Sequence, residues 1–253
     1  MEQRIKMRPL PLLIVVLLMA AVVPASAYYY CCAEWGNNYS NNPDFENSNL
    51  DCNEENAKGF YYQLGGDSSW WGSFIYGDGQ ALDRHWKDPS KSGSGIDYIY
   101  VDKTHFAFFS GHGYSDGSGF AFGTSQDDFK LHYNDALWGN TQMDWVTLDA
   151  CSVLREDRHT NWYDAFGGLH SMTGFHTECH DVSNRGSNFV HRMVGTWTTQ
   201  PITTAWFIAA KDTEPSTTYA AALAREGCWS DYVYGHGDQG TPGTSFLYSK
   251  YQC

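Results

Sequence analysis

Phe106-Ala107-Phe108-Phe109-Ser110-Gly111-His112-Gly113 and Val146-Thr147-Leu148-Asp149-Ala150-Cys151-Ser152 are the two stretches that decide the fold. The first closes an apolar run that starts at Thr104, His105 aside, and the second continues one that starts at Trp145. Each has the character of a buried strand in a parallel sheet, with small and polar residues at its C-terminal end. The roughly 30 residues between them suffice for the crossover that parallel neighbours require. Side by side, the two strands bring the loops carrying His112 and Cys151 to within about 5 Å of each other. That edge is where open α/β sheets bind ligands.

Outward from this pair, Tyr28 to Glu34 reads as a first strand and Gly36 to Asn53, crowded with Asn and Ser, as a loop. Glu54 to Leu64 has helical spacing, with Ala57, Phe60, Tyr61 and Leu64 on one face. Ser73 to Tyr76 suggests a short strand and Asp88 to Gly95 a turn-rich connection. Leu169 to Phe175 is a third apolar stretch, and Asn188 to Val194 has the pattern of a helix. Ile202 to Ala210 and Tyr219 to Ala224 fit strand or helix equally. The expected class is therefore α/β, one mainly parallel sheet flanked by helices.

A thiol and an imidazole at one sheet edge can carry out acyl transfer. The thiolate attacks a carbonyl carbon and the imidazole protonates the leaving amine. The backbone N–H groups of Gly113 and Cys151 are the natural candidates to stabilise the oxyanion, and glycine at 113 lets a substrate approach closely. A hydrophobic strand ending in His-Gly, followed some forty residues later by another ending in Ala-Cys, resembles the caspase-like cysteine peptidases: caspases, metacaspases, legumains, gingipains and clostripain. The stretch Gly168-Leu169-His170-Ser171-Met172-Thr173-Gly174-Phe175 is similar to the small-residue-rich strand that follows the nucleophile's helix in that group. The chain as a whole is also similar to a family of secreted microbial proteins of unknown function.

The resemblance implies a caspase-like α/β domain over 28–253, with His112 and Cys151 as catalytic dyad and a peptide or protein as substrate. It calls for no cofactor and no metal. It further implies that Asp149, two positions before the nucleophile, lines the pocket for a basic P1 side chain, as the corresponding acid does in metacaspases. The sequence departs from the group after the cysteine, where Ser152 is followed by Val153 and Leu154 rather than by glycine.

The chain opens with Arg4, Lys6 and Arg8, runs through an apolar block from Leu10 to Val23, and reaches Pro24-Ala25-Ser26-Ala27. This is the pattern of a secretory signal with cleavage after Ala27, residues 1–27, and it predicts a secreted or cell-surface protein. The block is shorter than the roughly 20 residues of a spanning helix. No second block of that length follows, so no stable membrane span is expected after cleavage. The formal net charge of −13 for the whole chain becomes about −15 without that segment, which disfavours nucleic acid as a partner. Seven cysteines follow it (Cys31, Cys32, Cys52, Cys151, Cys179, Cys228, Cys253), and outside the cytosol six are expected to form three disulfides, leaving one free thiol. Cys151, at a strand end matched by a His-Gly, is the one assigned to chemistry.

Competing constellations are weaker. His176, Cys179 and His180 have spacing for two zinc ligands on a helical face but need others. His170 suits a core position better than an alternative base. Asp78 and Asp83 lack the regular spacing of a calcium loop. Trp70, Trp71, Trp162, Trp197 and Trp229 suit a sugar-binding surface or an aromatic core. The main rival to a peptidase is a non-catalytic surface protein of the same fold that binds a partner or glycan through exposed aromatics.

Overall fold

The structure is a computed structural model and describes residues 28–124, 128–195 and 199–253. The expected signal segment and Trp197 lie outside the described residues. Among those residues no helix is long and apolar enough to cross a membrane.

The centre is a seven-stranded sheet. Its strands are β1 (Tyr29–Trp35), β2 (Trp70–Gly77), β3 (Phe106–Ser110), β6 (Trp145–Asp149), β7 (Ser171–Phe175), β8 (Tyr219–Arg225) and β9 (Phe246–Gln252), in spatial order β2-β1-β3-β6-β7-β8-β9. The first five run parallel, while β8 and β9 are antiparallel additions at one side. The short strands β4 (Gly119–Ala121) and β5 (Lys130–His132) form a separate antiparallel pair between β3 and β6 in the chain. The mainly parallel α/β class is thus as expected, and β3 and β6 are direct neighbours. Ile202–Lys211 is a helix and Tyr219–Arg225 a strand, which settles the two stretches the pattern left open.

Period-two alternation sorts the strand residues between two cores. Cys31, Ala33, Phe106, Phe108 and Trp145 face a layer of three helices, α1 (Asn53–Leu64), α2 (Arg185–Val194) and α3 (Ile202–Lys211), and pack on Phe60, Phe189, Val190 and Trp206. Cys32, Ala107, Phe109, Val146 and Leu148 face the other way. No α-helix covers this second face among the described residues. Irregular segments and the β4–β5 pair cover it, filling the space with Trp86, Phe120, Phe122, Trp138 and Trp162. The segments involved carry Gly, Pro, Asp and Ser too often for a helical period, so large aromatic rings rather than helix faces exclude water there.

The cysteines do not pair as expected. All seven are free thiols in the structure, with no two sulfurs at bonding distance. The reason is plain for Cys31 and Cys32: as successive strand residues they point into different cores. Burial pushes the Cys31 thiol up to about 12, so it behaves as a small apolar side chain.

Candidate functional site

Register decides the site. Ser110 of β3 is the partner of Asp149 of β6, so His112 and Cys151 each stand two residues beyond matched strand ends. The Gly111 N–H continues the ladder by one bond to the Asp149 carbonyl, at 3.1 Å. A Cβ at Gly113 would stand 1.9 Å from the carbonyl oxygen of Cys151, so only glycine lets the two loops approach this closely. Residues after Cys151 do not enter a helix. Ser152 takes a left-handed φ of 59° and its N–H bonds the Thr177 carbonyl at 2.9 Å, turning the chain sharply away. The helix that follows the nucleophile in the peptidases the sequence resembles is therefore absent at this point of the chain.

His112 is half-buried and oriented from three sides. Its Nε2 lies 2.5 Å from the Ser48 carbonyl oxygen, which can only accept, so Nε2 carries the proton and Nδ1 is the basic nitrogen. Phe45 stacks on the ring with centroids 4.5 Å apart, and the Tyr39 hydroxyl accepts the His112 N–H at 3.0 Å. Burial lowers the imidazole's pKa from its ordinary 6.5, opposed by the Ser48 bond and the charge of Asp181.

Cys151 Sγ lies 3.4 Å from Cys179 Sγ and receives the Cys179 N–H at 3.2 Å. These contacts favour the thiolate: the Cys179 thiol, outweighing the opposing burial, and then the Cys179 backbone hold the Cys151 thiol below its ordinary 9.0. Cys179 itself is driven well above that value by the same bond and by burial. Either thiol can donate in this pair, and Cys151 Sγ also lies 3.5 Å from the Cys179 carbonyl oxygen. Neither the Gly113 nor the Cys151 N–H has an acceptor among the described residues. His112 and Cys151 border one cleft of about 540 Å³, with Phe45, Tyr114, Glu178 and Cys179 among its walls. A smaller recess of about 80 Å³ lies alongside, between Leu50 and Val182, with Asp149 and Arg185 in its lining.

Asp149 is 4% exposed, and its oxygens are held by Arg185 Nη1 at 2.5 Å and Asn56 Nδ2 at 2.7 Å. Arg185 also bonds Glu214, whose second oxygen receives His180 Nδ1 at 2.7 Å. A basic side chain entering the recess would have to compete with Arg185 for Asp149. This buried web braces the loop that carries Cys179, and the Asn56 side chain adds a bond to Ser110 at 2.9 Å, tying α1 to the end of β3. Sequence reasoning missed Asn56, Arg185, Glu214, Ser48 and Phe45, and it assigned Cys179 to a disulfide. A buried arginine beginning a helix opposite two buried acids leaves no local pattern, since its partners are 36 and 29 positions away.

The weaker constellations disperse. His176 Nδ1 accepts the Glu156 N–H, Cys179 faces Cys151, and His180 faces Glu214, so these three share no centre. Asp78 caps the Asn37 and Asn38 amides, whereas Asp83 is buried beside Lys87. Of the tryptophans, Trp70 and Trp162 are core, and Trp71 is 60% exposed. His170 lies at the opposite edge of the sheet, bonded to Asp231. A search of curated proteins returns no match. A protein-family model does match, over residues 33–248, so the chain belongs to the family described as a domain of unknown function (DUF6345).

Proposed function

We propose that the protein is a secreted cysteine peptidase of caspase-like fold that hydrolyses peptide bonds with Cys151 and His112. The observation that carries this reading is the meeting of a thiol held below its ordinary pKa and a tautomer-fixed imidazole on one cleft, at matched ends of adjacent parallel strands. In the proposed cycle Cys151 passes its proton to His112 Nδ1, and the thiolate attacks the scissile carbonyl. The oxyanion takes the open N–H groups of Gly113 and Cys151. His112 then protonates the departing amine, and the acyl-enzyme is hydrolysed by a water whose proton His112 accepts.

Substrate preference follows from the cleft's charge. Asp44 and Glu178 line it with no Lys or Arg among its walls, which favours substrates carrying basic residues near the scissile bond. Glu178, exposed on the cleft wall, suits that role better than Asp149, which is already paired. Secretion rests on the N-terminal signal pattern. Incubation with a peptide library under mild reductant, read by mass spectrometry, tests the proposal. Cleavage by the parent protein and at least a thousandfold less by Cys151→Ala is expected. Equal cleavage by both proteins, or a peptide map with Cys151 held in a disulfide while cleavage persists, overturns it.

One observation favours a second reading, a binding protein. Tyr28, Tyr62 and Trp71 are 49%, 62% and 60% exposed, and Tyr28 and Trp71 meet edge to face at 6.2 Å. Such a patch is suited to a glycan or a protein partner.

A further inference from the structure

The edge of the sheet opposite Cys151 carries a second cluster that the peptidase reading does not use. Asp144 immediately precedes β6 and His170 immediately precedes β7, so both stand at the N-terminal ends of neighbouring parallel strands. Because β8 runs antiparallel to β7, the loop that leaves it returns to the same edge and brings Cys228 and Asp231. A turn closed by the bond from the Asp231 N–H to the Cys228 carbonyl, at 3.2 Å, places these two residues on one side. This is the spacing by which Cys-x-x-Cys turns present two ligands to zinc.

We propose that His170, Cys228 and Asp231 form a three-ligand site for a divalent transition metal ion of the zinc class, the fourth position being open to water. One donor atom from each of the three lies within 4.8 Å of the others, and all three residues are buried. His170 Nε2, the ring nitrogen turned away from Asp231, is 3.8 Å from Asp144 Oδ1, so Asp144 stands behind the imidazole as an outer carboxylate. The donors are an imidazole, a thiol and a carboxylate, the mixed set that selects zinc over magnesium or calcium.

The surroundings hold these groups as an outer shell holds metal ligands. Asp231 Oδ1 accepts the Gly240 N–H at 2.7 Å, and Asp231 Oδ2 accepts the Trp145 indole N–H at 3.0 Å. The Tyr234 hydroxyl donates to Asp144 Oδ2 at 3.0 Å. His170 Nδ1 lies 2.7 Å from Asp231 Oδ2, a contact that orients the ring and that opens slightly if both atoms ligate. Loading replaces the thiol proton of Cys228 and any second ring proton of His170 with the dication, and these protons leave to solvent. An ion here ties the start of β7 to the loop after β8, whose Asp231 carbonyl also accepts the Ile202 N–H at the start of α3, at 2.8 Å.

Titration of the purified, metal-free protein with Co²⁺ tests the site. One equivalent is expected to bind with a thiolate-to-metal charge-transfer band in the near ultraviolet, displaced by Zn²⁺. The band should persist in Cys151→Ala and vanish in Cys228→Ser. No band in the parent, a band that survives Cys228→Ser, or one abolished by Cys151→Ala overturns the proposal, the last because the ion then sits at the other edge. If Cys228→Ser does not fold by circular dichroism, Asp231→Asn, which keeps the shape of the side chain, must weaken Co²⁺ binding at least tenfold. Unchanged affinity in that variant also overturns the assignment. None of these readouts involves peptide cleavage, so they stand or fall separately from the catalytic proposal.

Discussion

Cys179 shows how much one residue changes the chemistry of another. Its thiol and backbone N–H both point at Cys151 Sγ, and they are the main reason the Cys151 thiol sits below its ordinary pKa. Removing the thiol leaves burial and the charges of Asp149 and Glu178, which raise the pKa. Cys179→Ala is therefore expected to move the pH midpoint of iodoacetamide alkylation at Cys151 upward. A merely structural role for Cys179 would leave that midpoint in place. Cys151 itself was legible because an unusual residue stood at a recognisable strand end, whereas Cys179 is 28 positions away and looked like any secreted-protein cysteine.

Elements show the same division. The strands β3 and β6 were readable because each is buried on both faces and so apolar throughout, a pattern that needs no knowledge of neighbours. The edge strand β9 was not readable: Phe246–Gln252 alternates irregularly and is mostly exposed or half-buried, so only its pairing with β8 makes it a strand. α2 was readable from Asn188 onward, but its first turn holds Gly186, a poor helix former, and Arg185, whose partners come from elsewhere. That arginine joins α2 to the end of β6 through Asp149 and to Glu214 beyond α3. Replacing it with methionine keeps the volume and strands two buried carboxylates. Arg185→Met is expected to destabilise the protein by about 3–5 kcal/mol, measured by chemical denaturation at neutral pH.

At the scale of the whole molecule, stability carries the signature of a misfit acid. Both oxygens of Asp97 are buried without a well-formed hydrogen-bond partner among the described residues. Burial, helped by Asp102 and Asp88, raises its pKa from 3.8 to about 8. Between these values the folded protein holds a proton that the unfolded chain has released, so this group's contribution falls as pH rises from about 4 to about 8. Asp97→Asn removes that slope. It is expected to raise unfolding stability at pH 8 by on the order of 1–3 kcal/mol while changing little near pH 4, read from urea midpoints across the pH range.

What the amino-acid sequence determined by itself is local in kind. Apolar runs, their lengths and the small residues closing them established a mainly parallel α/β sheet and put His112 and Cys151 on neighbouring strand ends, because strand burial and crossover rules act on contiguous residues. The tertiary structure alone decided which charges and thiols meet across long separations. It occupied Asp149 with Arg185, set Cys179 against Cys151, fixed the His112 tautomer with Ser48, and gathered His170, Cys228 and Asp231 at the far edge. Such contacts depend on register and burial in three dimensions, and a buried polar group chooses its partner by where the chain returns, which no short stretch of residues encodes.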